Sequence, residues 1–266
     1  MPRNALLAAL LVLLAPLAAA QPKTATLDPL DSPLALRGWE GVGRVEIGGR
    51  GFCTGALVSD RLVLTAAHCL YDKSTGARMD DTALTFRAGL RRGGAEAERR
   101  VRRAVAHPDY VFGPVATTEH VARDLALLEL DSPIHAAHVR PFRVGAAARR
   151  GERVGLVSYA RQRAEAPSLQ EVCEVLETGG GVALLTCLVD LGASGAPVFR
   201  TGPDGPEIVS VISAKALAGD ERVALAARLG PAWETLRATH AAGPGGTSRA
   251  TQGAMRPGPG PKFARP

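Results

Sequence analysis

The chain has 266 residues, 46% hydrophobic and 4% aromatic, with 32 basic and 26 acidic side chains and a formal charge of +6. The apolar fraction excludes a wholly disordered chain, the aperiodic 30 Gly and 19 Pro exclude a collagen-like one, and 4 Cys cannot be the main staple at this length. Arg3 within residues 1–20, and Arg249, Arg256, Lys262 and Arg265 within 241–266, leave only +1 for residues 21–240, so a pI near 9.5 is weak support for a nucleic-acid partner and none is expected.

Arg3, the apolar stretch Ala5–Leu17 and the small residues Ala18-Ala19-Ala20 have the layout of a secretory signal peptide over 1–20. The apolar run is too short to favour a permanent membrane span. Export to a secreted or periplasmic location is therefore expected, and with it paired cysteines. Residues 21–40, with Pro22, Pro29 and Pro33, read as an irregular leader or pro-segment. From Val42 onward the pattern is short apolar runs split by turn residues: 42–47, 52–58, 62–65, 102–106 and 125–130, then 154–159, 172–177, 182–189, 197–200 and 208–213. Many short strands at this spacing predict an all-β barrel or sandwich. Trp233 to His240, after Gly230-Pro231, predicts a C-terminal helix. Residues 241–266, Gly- and Pro-rich and basic, predict a disordered tail.

One hairpin can be placed by counting. Gly179-Gly180-Gly181 is a turn signal between two apolar runs. A three-residue loop centred on Gly180 sets residue i opposite 360 − i, so Cys173 faces Cys187 at a spacing a disulfide can bridge. Cys53 and Cys69 are left as the second pair.

Three short stretches could carry chemistry together. His68 follows the apolar run ending in Thr65-Ala66-Ala67, Asp124 heads Leu125-Ala126-Leu127-Leu128, and Ser194 lies between Gly192-Ala193 and Gly195. Taken singly they read as a structural His, a strand-start carboxylate beside Arg123 and an ordinary turn. Together they supply a nucleophile, the base a hydroxyl needs at neutral pH, and a carboxylate to hold that base. Glycine around the serine lets backbone N–H groups face a developing oxyanion. The order His, Asp, Ser excludes the subtilisin order. An α/β-hydrolase elbow is excluded because Ala196 stands where it needs Gly.

On these residues, and on Cys53-Thr54-Gly55-Ala56-Leu57-Val58, Leu64–Cys69, His107-Pro108-Asp109-Tyr110 and Gly192–Val198, the sequence resembles the chymotrypsin/trypsin-like serine proteases, especially bacterial secreted members. The resemblance runs from about Gly43 to Leu236. It implies an all-β fold of two packed six-stranded antiparallel β-barrels, with a trypsin-like domain over 41–240 divided near 141/142. It implies His68 as general base, Asp124 as its orienting carboxylate, Ser194 as nucleophile, and the N–H groups of Gly192 and Ser194 as oxyanion hole. No cofactor or metal is implied, and the partner is a protein or peptide substrate of a monomeric enzyme.

Two departures from the family pattern stand out. Ala193 occupies the place of the acid that pairs with a processed N-terminus in trypsin-like zymogens, and no Ile-Val-Gly-Gly precedes the barrel. An ion-pair activation switch is therefore not expected. Leu188 stands where trypsin-like members carry the acid that selects Arg or Lys, and Ser213-Ala214-Lys215 resembles the substrate-binding strand. Lys215 could favour an acidic residue, although a strand-end Lys more often reaches to water. His135 and His138 lack a third ligand and are weak grounds for zinc. Arg87, Arg91, Arg92, Arg99, Arg100, Arg102 and Arg103 face only Glu96 and Glu98 locally. They read first as a solvated strand edge and second as a weak contact for an anionic surface. The competing functional reading is a non-catalytic binding protein on the same fold.

Overall fold

The computed structural model describes residues 26–113 and 115–243; the expected signal segment and nearly all of the expected tail lie outside them. Six strands form a closed antiparallel barrel: β2 (Val42–Ile47), β3 (Phe52–Leu57), β4 (Leu62–Thr65), β5 (Leu84–Ala88), β6 (Ala97–Ala106) and β7 (Ala126–Leu130), in the order β2-β3-β4-β7-β6-β5. The second half holds β9 (Arg153–Ala160), β10 (Arg163–Gly179), β11 (Val182–Leu185), β12 (Pro197–Gly202), β13 (Gly205–Ala218) and β14 (Glu221–Arg228). They run β10-β11-β14-β13-β12-β9, and β9 pairs again with β10, so this sheet also closes on itself. Helix α2 (Thr118–Ala122) precedes β7, and helix α3 (Pro231–Ala241) ends the described chain.

The apolar runs are continuous because many strands bury both faces. On β7, Ala126, Leu128 and Leu130 fill the first barrel, while Leu127 and the preceding Leu125 pack between the barrels. Val63 and Leu64 divide the same way on β4. This is the two-residue alternation of a strand, with apolar partners on either side. Leu36, Val42, Leu64, Leu127, Phe142 and Phe199 belong to the interbarrel layer, where burying each leucine contributes about 1.5–3 kcal/mol. Val154, Leu156, Val175, Leu185, Val198 and Ile212 fill the second barrel.

Part of the leader is regular, which corrects the irregular reading of 21–40. Strand β1 (Asp28–Pro29) pairs with Leu169 and Ser168 of β10, and a helical turn, α1 (Pro33–Leu36), follows with Ser32 as its cap. Leu30 and Leu36 are buried in the interbarrel layer, so apolar anchoring gives this Pro-containing segment its order. A short strand, β8 (Arg143–Val144), pairs parallel with β13.

The cysteines pair as expected, Cys53 with Cys69 and Cys173 with Cys187. The counting needs one correction. Gly179 pairs with Val182, so the loop has two residues, Gly180 and Gly181, at φ +56° and +85°. Glycine enters that backbone region without a Cβ penalty, as a two-residue hairpin requires. The offset is then 361, and a bulge between Val175 and Glu177 restores 360 before the cysteines are reached.

The arginine stretch is more neutral than its local sequence. Arg87 pairs with Glu98 and lies within reach of Glu46; Arg91 pairs with Glu96, Arg92 with Asp31, Arg100 with Asp131, and both Arg102 and Arg103 with Glu129. Arg99 instead donates to the Pro133 and Glu98 carbonyls. Strand pairing thus supplies Glu46, Asp131 and Glu129, none of which is near in sequence to the arginines they meet.

Candidate active site

His68 sits in a short 3-10 turn, Ala67–Leu70, directly after β4, and the Cys53–Cys69 bridge ties this turn to β3. The His68 ring is fully buried. Asp124 enters from the end of α2, its N–H donating to the Val121 carbonyl, and is 1% exposed. The His68 backbone N–H donates to Asp124 Oδ1 at 2.8 Å, and His68 Nδ1 lies 2.6 Å from Oδ2. An ionised carboxylate only accepts, so the proton of this contact belongs to Nδ1. The Ser213 hydroxyl donates to the same Oδ2. Burial alone would raise the Asp124 carboxyl; the His68 charge and the hydrogen bonds from His68 and Ser213 outweigh it and hold the group below its ordinary value.

Ser194 comes from the second barrel and is 1% exposed. Thr54 of β3 joins its loop to the first barrel. The Thr54 N–H donates to the Ser194 carbonyl at 2.8 Å, and its hydroxyl donates to the Gly192 carbonyl at 2.9 Å. The same Thr54 hydroxyl accepts the Tyr159 N–H at 3.1 Å. Gly195 has φ +78° and lies so close to β4 that a Cβ would stand 2.1 Å from Thr65 Oγ1 and 2.3 Å from the Thr54 carbonyl. Thr65 is three residues before His68, so this close approach sets the serine loop beside the histidine turn. Gly195→Ala should lower stability by at least about 2 kcal/mol, because strained backbone and a backbone clash add; a thermal melt checks it.

Ala193 is fully buried, and its N–H donates to the Asp190 carbonyl at 2.9 Å. The loop before Ser194 is held from within the barrel. Asp190 Oδ1 accepts the Leu191 N–H at 2.8 Å and Lys215 Nζ at 3.2 Å. The Leu191 N–H, ahead of Lys215, keeps the Asp190 carboxyl below its ordinary value. Buried Gln170 donates to the Leu188 carbonyl at 2.7 Å and accepts the Leu188 N–H at 2.8 Å. No contact of this set involves a chain terminus.

The residues expected to bind substrate are placed differently from one another. Ala214 is buried and Leu188 is 40% exposed. The Ser213 side chain turns to Asp124, and the Lys215 ammonium is paired with Asp190. Thr54 and Gln170 were not singled out in the sequence. Thr54 lies within the Cys53–Val58 stretch, whereas nothing local distinguishes Gln170 from any strand glutamine.

His107 supports the aspartate from behind. Its N–H donates to the Leu125 carbonyl at 2.8 Å, next to Asp124, and its Nδ1 accepts the Asp109 N–H at 3.3 Å. Burial chiefly depresses this imidazole; Asp109 opposes and Arg123 reinforces the shift. A depressed value means the unfolded chain takes up the proton first, so stability is full above 6.5 and falls as pH drops through that window. Urea denaturation at about pH 7.5 and about pH 5.5 should show lower stability at the acid value, and His107→Gln should reduce the difference.

Comparison with known proteins decides the family. The Trypsin family profile matches residues 35–176, more than half of the chain. The chain belongs to the trypsin family. Its relatives include a modular serine protease of Drosophila melanogaster, 39% identical over 95 residues, which are 34% of this chain and 15% of that protein. A trypsin of Phaedon cochleariae is 37% identical over 84 residues, 31% of this chain and 29% of that protein. Human kallikrein-10 is 41% identical over 87 residues, 31% and 28% respectively. The matched regions thus span under a third of these relatives, which are insect and human rather than bacterial. A solved Glu endopeptidase in complex with MPD superposes with a TM-score of 0.64 at 17% identity, over 77% of this chain and 92% of that one, and shows the fold. Among the described residues no helix is long and apolar enough to cross a membrane.

Proposed function

We propose that this chain is an exported serine endopeptidase that cleaves protein or peptide substrates through an acyl-enzyme on Ser194. The observation that carries the reading is the buried His68–Asp124 pair, with the Ser194 loop bound to the adjoining strands by Thr54 and Gly195, in a member of the trypsin family. His68 Nε2 removes the Ser194 hydroxyl proton as Oγ attacks the scissile carbonyl, then gives that proton to the departing amine. Water repeats the sequence to release the acid. Asp124 fixes the Nδ1–H tautomer and stabilises the imidazolium, and the Gly192 and Ser194 N–H groups face the oxyanion. No step calls for a cofactor.

The domain organisation proposed with it is a signal peptide at 1–20, a leader to 40, a protease domain over 41–240 and a basic tail from 241, acting as a monomer outside the cytoplasm. The two disulfides accord with an oxidising compartment. A fluorophosphonate probe tests the chemistry. Labelling of the folded protein that disappears in Ser194→Ala supports the enzyme. Absence of labelling sinks it in favour of a binding protein on this fold.

Activation should not depend on a new N-terminus. Ala193 offers no carboxylate to an incoming amine, and Asp190 and Gln170 already hold the loop. Acetylating the amine exposed by cleavage in the leader should leave kcat/KM within about twofold, since a charge with no carboxylate at residue 193 to pair with contributes little to the loop. A loss of activity on acetylation would contradict this.

A further inference from the structure

Beside His68 and Gly192 opens a cleft of about 640 Å³. Phe52, Tyr71, Met79 and the Cys53–Cys69 bridge make its apolar lining, and Arg50, Lys73 and Arg161 line it as cations. Leu188, Ser213, Ala214 and Lys215 do not line it. On the reading above, the acyl part of a substrate stays on Ser194 and lies along Ser213–Lys215. The cleft shares His68 and Gly192 with the candidate site but none of those residues, and on that reading it takes the amine segment.

Its charge is one-sided. Among the described residues Asp72 is the only acid in the lining, and its carboxylate is engaged by its own turn and by Arg50. Oδ1 accepts the Ser74 N–H at 2.8 Å, the Ser74 hydroxyl at 2.5 Å and the Thr75 N–H at 3.2 Å, while Oδ2 pairs with Arg50. Those contacts, led by Ser74, keep Asp72 ionised down to about 2. It therefore offsets one cation, and the described lining keeps more basic than acidic side chains. Asp190 is within electrostatic reach of Arg161, but its carboxylate is bound by the Leu191 N–H and Lys215. A concave wall of one sign focuses the field on a ligand of the other.

We propose that this cleft selects leaving segments that carry a carboxylate at the first or second residue after the cut, with Arg161 as the specificity-determining group. The proposal rests on the serine-endopeptidase reading for its orientation. The carboxylate comes either from an acidic side chain or from the C-terminus of a short leaving segment. The stems of the cationic residues and the apolar lining take the rest of that segment.

The test uses the full chain and peptide libraries randomised upstream of the cut, with Glu, Gln or Lys fixed at the two downstream positions. One series is extended and amidated; the other ends two residues after the cut as free acid or amide. Glu should exceed Lys in kcat/KM by about tenfold, the scale of one or two partly exposed charge pairs, and the preference should shrink as salt rises. Arg161→Glu should abolish or reverse it, and the milder Arg161→Gln should weaken it. Glu preferred in the extended series assigns the carboxylate to a side chain; free acid preferred over amide only in the short series assigns it to a C-terminus. Equal rates across both series overturn the proposal.

Binding of fluorescein-labelled tetrapeptides beginning with Glu or Lys to the Ser194→Ala protein, read by anisotropy, repeats the comparison without turnover. Probe labelling with no charge preference removes the cleft's role and leaves the enzyme. A Glu preference in binding without probe labelling removes the enzyme and leaves the cleft.

Discussion

Ser194→Ala is expected to lower kcat by about five to six orders of magnitude while leaving the fold and KM nearly unchanged, because a triad acts as one unit and losing the nucleophile costs about as much as losing all of it. The change removes one oxygen from a side chain that is 1% exposed. The loop should stay in place, because Thr54 holds it through the Ser194 and Gly192 carbonyls and Gly195 packs on Thr65, none of which involves the hydroxyl. Turnover of a cleaved peptide, with thermal melts of both proteins, separates the outcomes. Activity within tenfold of the parent would assign the nucleophile elsewhere.

Asp124→Asn is expected to lower kcat by about four orders of magnitude, the scale of losing the correct imidazole tautomer. Three donors converge on this carboxylate: the His68 N–H, His68 Nδ1–H and the Ser213 hydroxyl. An amide has one oxygen and an NH2 group, so at least one donor would face hydrogens. The ring escapes by moving its proton to Nε2, and Nε2 can then no longer take the serine proton. A buried mismatch of this kind should also cost about 1–3 kcal/mol of stability. Nitrogen-edited NMR of the His68 ring checks the tautomer directly. An unchanged Nδ1–H signal with full activity would remove Asp124 from the mechanism.

Two expectations show how far local reading carries. Cys173 meets Cys187 although the assumed three-residue loop is a two-residue one, because the Val175/Glu177 bulge absorbs the missing residue. A bulge depends on the twist of the whole barrel and leaves no mark in a short window. Strand β14 has no strand signal of its own: Glu221–Arg228, with its alanines and leucine, is as compatible with a helix as with a strand. It is extended because β11 and β13 pair with it on both sides.

What the sequence determined by itself was whatever short, ordered motifs encode: the all-β class through runs of four to eight residues, the order of His68, Asp124 and Ser194, and the cysteine spacing. These rest on side-chain period, on residue chemistry and on positions that must be glycine, all of them local properties. Tertiary structure alone decided the partners. It bonded the Ser213 hydroxyl to Asp124, paired Lys215 with Asp190, set Gln170 under Leu188 and brought Glu46, Asp131 and Glu129 to the arginines. Each of these joins residues distant in the chain, and only strand register and barrel closure bring such groups within hydrogen-bond reach.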